Sequence, residues 1–404
     1  MTAESSAKTT LRVVFVTTWG SECGIATYSE DLSAWLVDEG VQLSVLAPCE
    51  AGTCMARTRA DIPHNAIWTR KEANLGALLT KYTEGIDIVH FQHEHGIFQN
   101  VAAFFQALTD LRKAGRKTVV TMHTVQPYGD WQGTGFADSL RSRVDCIIVH
   151  TPACLAALSL ARGDAPVVWV PHGTRVAPPA GTREEGLKFL TIPEPAWQGA
   201  TFGGALGFVN EGKNIHETIK GFAEGLARNL IPRNCALIIV GRPPLENIYR
   251  LHLENLVAAT GFTNNIILRL KFVPRDMIGH VMAALDFGVL NTTGTSLSAS
   301  GQVHLHAAYG TPLATARRPI YDDACAAGAL TFDVDAQGRC GLPLVDALAA
   351  LAKPAVRKMV SESLRAYGQR TGWNLIARQH AEIYRRLLAK PTSTTKVDGA
   401  TPAA

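Results

Sequence analysis

The chain has 404 residues, 47% of them apolar and 18% charged, and a formal net charge of +4. That length exceeds what one ordinary core supports and predicts two domains of roughly 150–200 residues. So small a charge does not mark a nucleic-acid-binding protein or one held on an anionic membrane, and no run of about 18 apolar residues is there to span one.

Residues 1–10 lack the apolar core of a signal peptide and read as a disordered lead-in. From Leu11 onward apolar runs alternate with amphipathic segments. Leu11–Thr18, Val41–Ala47, Ile86–Phe91, Thr118–Met122, Cys146–Val149 and Val167–Val170 read as buried strands. Between the first two, Ile25, Tyr28, Leu32 and Leu36 recur at helical spacing. Residues 173–188 mix Gly, Pro and charge without periodicity, as a linker does. The alternation then resumes, with strands at Thr201–Phe208, Ala236–Val240, Ile266–Phe272, Phe287–Leu290 and Leu313–Ala316. Helices are predicted at Ile215–Arg228, Ile248–Thr260, Met277–Ala284 and Val345–Leu351. The tail from Ala389 is polar and reads as disordered. Strands separated by helices predict an α/β protein with two parallel sheets, and ligands of such sheets bind outside the carboxyl ends of the strands. Eight cysteines are scattered without a CxxC pair, so reduced thiols and a cytoplasmic location, at most peripheral to a membrane, are expected.

Residues 294–310, GTSLSASGQVHLHAAYG, carry the most chemistry. A strand there empties into a loop of small hydroxyl residues, and Ser300-Gly301 opens a helix. Unpaired backbone N–H groups and the positive end of a helix dipole suit a phosphate. Between Thr292 and Gly310 there is no Asp or Glu. Lys213, in Gly207-Phe208-Val209-Asn210-Glu211-Gly212-Lys213-Asn214, sits just before another helix, where an ammonium and a dipole both favour phosphate; a solvent-facing turn is the plainer alternative. Asn214 and Glu217 have capping-box spacing. Thr17 to Gly24 form a glycine loop after the first strand, and this loop is not GxGxxG. His123 ends the strand VVTMH, placed to hydrogen-bond a sugar hydroxyl or to serve structure. His93 and His95 flank Glu94; a metal, a cleft-lining loop or packing under the next helix are the readings. His172 is expected at the hinge. Arg57, Arg59, Arg70 and Lys71 form a modestly basic stretch that suits an anionic acceptor, lipid headgroups or a solvated face.

Taken in order, CGIATYSEDL, IDIVHFQHEHGIF, VVTMHT, VVWVPHG, GFVNEGKN, IIVGRPP, KFVPRDMIGHVMAALDFGVLNT, SASG…AYGTP and WNLIARQHAEIYRRLL resemble the nucleotide-sugar-dependent glycosyltransferase family 4 over nearly the whole chain. The resemblance implies a GT-B architecture, two Rossmann-like parallel-sheet domains facing an interdomain cleft. The acceptor domain would span 11–178 and the donor domain 179–370, with a returning helix at 371–388 and a tail at 389–404. It implies transfer of a sugar from a nucleotide-diphosphate sugar, a UDP-sugar or GDP-sugar, to a hydroxyl with retention, and no metal or other cofactor.

Carried over by residue, Lys213 falls on the diphosphate lysine and His123 on the histidine near the transferred sugar. Gly24, with Gly20 beside it, falls on the loop near the donor phosphates. Ser298, Ser300, Gly301 and Gln302 fall on the segment that cradles diphosphate and sugar, and Phe272 and Val273 where backbone meets the nucleobase. His93 and His95 would lie on the acceptor side. Phe208 stands where the family has a phosphate-binding arginine, with Arg242 as a candidate substitute. The paired glutamates of many members are missing, with His304, His306 or Gln302 as candidate substitutes at the sugar or ribose. Glycan, lipid-linked glycan, small molecule, protein or a modified DNA base all stand as acceptors. Rival readings are a catalytically inactive nucleotide-sugar-binding module and a nucleotide-sugar epimerase or hydrolase.

Overall fold

A computed structural model describes residues 11–49, 62–125, 135–193, 198–242 and 247–389. Arg57, Arg59, Cys54, the lead-in and all of the tail beyond Ala389 lie outside the described residues. The N-terminal half runs β1 (Leu11–Val16), α1 (Gly24–Asp38), β2 (Val41–Pro48), β3 (His64–Trp68), α2 (Leu75–Tyr82), β4 (Ile88–His93), α3 (Val101–Lys113) and β5 (Lys117–Met122). It continues through β6 (Thr124–Val125), α4 (Phe136–Arg143), β7 (Cys146–Val149), α5 (Pro152–Ser159) and β8 (Val167–Trp169). The C-terminal half runs α6 (Arg183–Phe189), β9 (Thr201–Leu206), α7 (Ile215–Ala227), β10 (Cys235–Val240), α8 (Asn247–Thr260), β11 (Ile266–Arg269) and α9 (Ile278–Ala284). Then come β12 (Phe287–Leu290), β13 (Leu297–Ser298), α10 (Gly301–Tyr309), β14 (Leu313–Ala316), α11 (Asp322–Ala326), β15 (Leu330–Phe332), α12 (Gly341–Leu351), α13 (Pro354–Arg370) and α14 (Trp373–Leu388).

Two parallel sheets result, in the orders β3-β2-β1-β4-β5-β7-β8 and β11-β10-β9-β12-β14-β15. Central strands are apolar on both faces because helices cover both; β10 (CALIIV) is buried throughout. Each fully buried Leu, Ile or Phe in these layers, such as Phe91, Phe202 or Leu237, contributes roughly 1.5–3 kcal/mol. Strand order reverses beside β1 and β4 in one sheet and beside β9 and β12 in the other. Such switch points open a crevice at the carboxyl ends. The glycine loop follows β1, His93 ends β4, the Lys213 loop follows β9, and the hydroxyl-rich loop follows β12.

Several boundaries differ from the sequence expectation. The linker read over 173–188 contains the start of α6, whose N-cap Thr182 accepts from the Glu185 N–H. β1, β9 and β11 end earlier than expected, because the chain leaves the sheet at Thr17, Gly207 and Leu270. Asn214 is not the N-cap of a capping box. Its backbone is left-handed (φ 50°), and its amide donates to Gly338 O at 2.7 Å.

The halves are joined by backbone and side chains. β6 pairs antiparallel with β13, Leu297 opposite Val125 and Ser298 opposite Thr124. α14 returns to the first half, where Trp373, Ile376 and Tyr384 pack with Phe15, Tyr28 and Leu32. Gly173 lies against the Trp373 indole so closely that a Cβ would fall inside the ring. Among the described residues no helix is long and apolar enough to cross a membrane.

Candidate active site

The Lys213 loop is pinned from both sides. Asn210 accepts the Lys213 N–H through its side chain at 3.1 Å. Gly212 O accepts from Thr292 Oγ1 at 2.8 Å and from Thr293 N at 3.1 Å, which fastens this loop to the segment after β12. The Lys213 side chain is half-buried and has no carboxylate partner among the described residues. Burial lowers the pKa of its ammonium, because desolvation disfavours the charged form.

The start of α10 faces the same crevice. Ser300, its N-cap, makes no side-chain cap, and the first turn holds no acid. The leading N–H groups are thus not capped by that side chain, the arrangement that suits an anion. Gln302, in that turn, approaches Gly207 at the end of β9; a Cβ there would lie 3.7 Å from its Nε2. Its Oε1 is buried without a hydrogen-bond partner. His172 faces Gly301 from the first half, 3.6 Å from where a Cβ would stand.

On the opposite wall, Gly20 adopts φ 61° and donates its N–H to Glu30 Oε1 at 3.2 Å. Gly24 opens α1 with free space where a Cβ would be. Charged pairs cross between the walls. Arg242 pairs with Glu22 of the glycine loop, and Arg275 pairs with Glu30 at 2.8 Å and with Asp31. Arg242 and Glu22 are each about half exposed (50% and 47%), so solvent weakens the pair. Phe208 and Phe272 are exposed, 52% and 44%, while Val273 packs against the apolar layer of the second sheet.

His123 follows β5 and is nearly buried at 7% exposure. Its N–H donates to His93 O at 3.1 Å, its carbonyl accepts from Ser298 Oγ at 2.6 Å, and its Nε2 meets Gln92 Oε1 at 2.9 Å. Tyr28 packs edge-on against the ring at 4.7 Å. Burial holds the imidazole well below its ordinary pKa, so it is neutral at physiological pH.

The structure does not bring every candidate to this crevice. His93 is 1% exposed and lies among Phe98, Phe104 and Phe136, beneath α3 and α4. His95 contacts His93 and Phe136, so this pair packs under the next helices. Among the described residues no group of three or more His, Cys, Asp or Glu is arranged to hold a metal. His304 and His306 are also buried, the first between Thr174 and Asp323, the second against Gly288. Neither reaches the crevice. The sequence reading missed Gln92, Ser298 as a partner of the His123 carbonyl, and the Glu22–Arg242 and Arg275–Glu30 pairs. Only its place in a strand with two histidines, IVHFQH, hinted at Gln92.

No family model and no curated protein sequence matches the chain. Solved structures do. Anabaena Alr3699/HepE in complex with UDP and glucose is 16% identical, with a TM-score of 0.74 over 93% of this chain and 100% of that one. Sucrose-phosphate synthase from Thermosynechococcus elongatus is 16% identical, with a TM-score of 0.69 over 93% and 99%. The UDP-forming α,α-trehalose-phosphate synthase of Burkholderia xenovorans, in complex with glucose-6-phosphate, is 12% identical, with a TM-score of 0.70 over 93% and 100%. At these identities the likeness is one of fold. The chain has the GT-B architecture, two parallel-sheet α/β units facing a cleft.

Proposed function

We propose that this chain is a glycosyltransferase that moves a sugar from a nucleotide-diphosphate donor, first of all a UDP-sugar, to a hydroxyl acceptor with retention at the anomeric carbon. The observation that carries the reading is Lys213, a half-buried cation without an anionic partner among the described residues. Its loop is bound to the segment that leads into the carboxylate-free start of α10. Breaking the sugar–phosphate bond leaves growing negative charge on the diphosphate. A fixed ammonium and a helix N-terminus stabilise that charge more than they stabilise the ground state.

The UDP held by Anabaena HepE and the UDP-forming activity of the trehalose-phosphate synthase support a uridine donor. Retention fits a segment that offers no acid between Thr292 and Gly310 to act as a nucleophile. The incoming hydroxyl then approaches on the face the diphosphate leaves, beside His123. An inactive binding module is the second reading, favoured by the same missing acids.

Thermal shift with UDP-, GDP- and ADP-sugars tests the donor. A donor at one hundred times its Kd stabilises the fold by about 2.7 kcal/mol. Nucleotide release with added acceptors then tests transfer. A melting temperature unmoved by every nucleotide sugar overturns the proposal, and binding with no turnover across acceptors selects the inactive module.

A further inference from the structure

We propose that Gln92 is a positioning residue that fixes His123 in the tautomer with its proton on Nε2, leaving Nδ1 as a bare acceptor for a hydroxyl in the cleft. The inference rests on the functional reading above, in which a sugar or acceptor hydroxyl comes to His123.

The geometry of the ring's partners carries it. Gln92 Oε1 lies 2.9 Å from His123 Nε2, and both groups are buried. A carbonyl oxygen only accepts, so the hydrogen on that bond belongs to Nε2. A neutral imidazole has one N–H, so Nδ1 carries the lone pair, and it has no hydrogen-bond partner among the described residues. The backbone leaves the ring little freedom, with the N–H held by His93 and the carbonyl by Ser298 of the opposite half.

The orientation of the Gln92 amide is itself fixed from behind. Its Nε2 faces His90 Nε2 at 3.5 Å. Thr121 Oγ1 lies 2.8 Å from the same His90 nitrogen, and Tyr384 OH lies 2.6 Å from His90 Nδ1. His90 Nδ1–H donating to the Tyr384 oxygen leaves His90 Nε2 to accept from the Thr121 hydroxyl and the Gln92 amide. The Gln92 carbonyl then turns toward His123. Tyr384 belongs to α14, so the returning helix sets the proton position on a residue at the cleft, and a local sequence motif cannot.

The groups facing His123 keep it neutral. They are Tyr28 from α1, His90 and His93 from β4, His150 after β7 and His380 from α14. Burial is the largest influence on the ring, and the charges acting on it are those of other imidazoles. A carboxylate introduced at position 92 changes this, because it stabilises the imidazolium and turns Nδ1 into a donor.

The test is a proton-detected nitrogen correlation spectrum of 15N-histidine-labelled full-length protein between about pH 6 and 8. His123 is assigned by the signal lost in His123→Ala. The wild-type ring is expected as the Nε2–H tautomer throughout. Gln92→Met keeps volume and removes the acceptor; it should mix the tautomers and lower kcat about ten-fold with little change in donor KM. Gln92→Glu should show a doubly protonated ring at neutral pH and turnover that recovers as pH rises, where the wild type is flat. A wild-type Nδ1–H tautomer, or a Gln92→Met spectrum identical to wild type, overturns the inference. The wild-type spectrum, once His123 is assigned by His123→Ala or, should that variant not fold, by His123→Gln, decides even if a Gln92 variant fails to fold or no donor is turned over, so failure of the functional reading is seen separately.

Discussion

Mild acid should destabilise this protein, and the size of the effect follows from three histidines. His150, His306 and His380 each donate Nδ1–H to a backbone carbonyl, of Val170 at 3.0 Å, Thr311 at 3.3 Å and Ile376 at 2.8 Å. Each leaves Nε2 buried without a partner. Protonating Nε2 in place would bury an N–H and a charge with nothing to accept them. Burial accordingly pushes all three down to about 4, from an ordinary 6.5.

The folded pKa lies below the unfolded one, so between about pH 6.5 and 4 the unfolded chain binds more protons and stability rises with pH. At about pH 5.5 each histidine costs roughly 1.4 kcal/mol, and the three together about 4 kcal/mol. His90, His93, His123 and His172 are lowered in the same direction and add to the loss. Glu30 and Glu94, raised mainly by burial, act in the opposite sense. Against a total stability of about 5–15 kcal/mol the histidines prevail. Urea unfolding at about pH 7.5, 6.5 and 5.5, followed by fluorescence, should show a midpoint that is nearly flat above about pH 7.5, has begun to fall at about pH 6.5 and falls steeply below it. A loss of less than about 1 kcal/mol at pH 5.5 would refute the reasoning, because the imidazoles would then titrate in water.

Three other changes separate function from packing. Lys213→Ala should lower kcat/KM by about 10²–10³; no ion pair is lost with it, so the urea midpoint should hold or rise, and near-wild-type turnover would reject the donor assignment. Glu22→Gln frees Arg242 from its partner across the cleft. If Arg242 meets the diphosphate, donor KM falls, while stability changes by less than about 1 kcal/mol because the pair is half exposed; an unchanged KM removes Arg242 from the donor site. Gly288→Ala places a Cβ in the His306 ring on β12 and should destabilise by about 1–3 kcal/mol, read as a lower melting temperature, and an unchanged value would mean that this layer is loosely packed.

The sheets were legible because parallel strands covered on both faces must be continuously apolar, as CALIIV and CIIV are. Less regular elements escaped. β3, at a sheet edge, buries only its last residue, Trp68, and β6 and β13 have two residues each and exist only as partners of one another. No periodicity announces a pairing between positions 124 and 298. Asn214 stands at the N-cap of α7, as a polar residue before an apolar stripe suggests, but its side chain makes no cap and no capping box forms. Asparagine also tolerates left-handed backbone, and here the second property is the one used.

The absent acids of the donor segment show the limit of reasoning from residue type. His304 and His306 stand two positions apart on α10, so they project about 200° from one another around the helix. Both cannot line one wall. The structure turns both inward. His304 binds Thr174 at 2.8 Å, Thr174 also binds Thr371, and the imidazole stacks on His172 at 4.5 Å. That places it at the joint where the chain crosses back between halves. His306 fills the space that Gly288 leaves beneath the helix. Gln302, one turn earlier, keeps an unsatisfied carbonyl oxygen beside Gly207. A buried acceptor without a donor is costly by about 1–3 kcal/mol, and a ligand hydroxyl is the kind of donor that relieves it. His306 also has an unmet ring nitrogen, but it is sealed against Gly288, so of the three substitutes suggested by residue type Gln302, beside Gly207, is the one placed to meet a sugar or ribose hydroxyl if a donor binds as proposed.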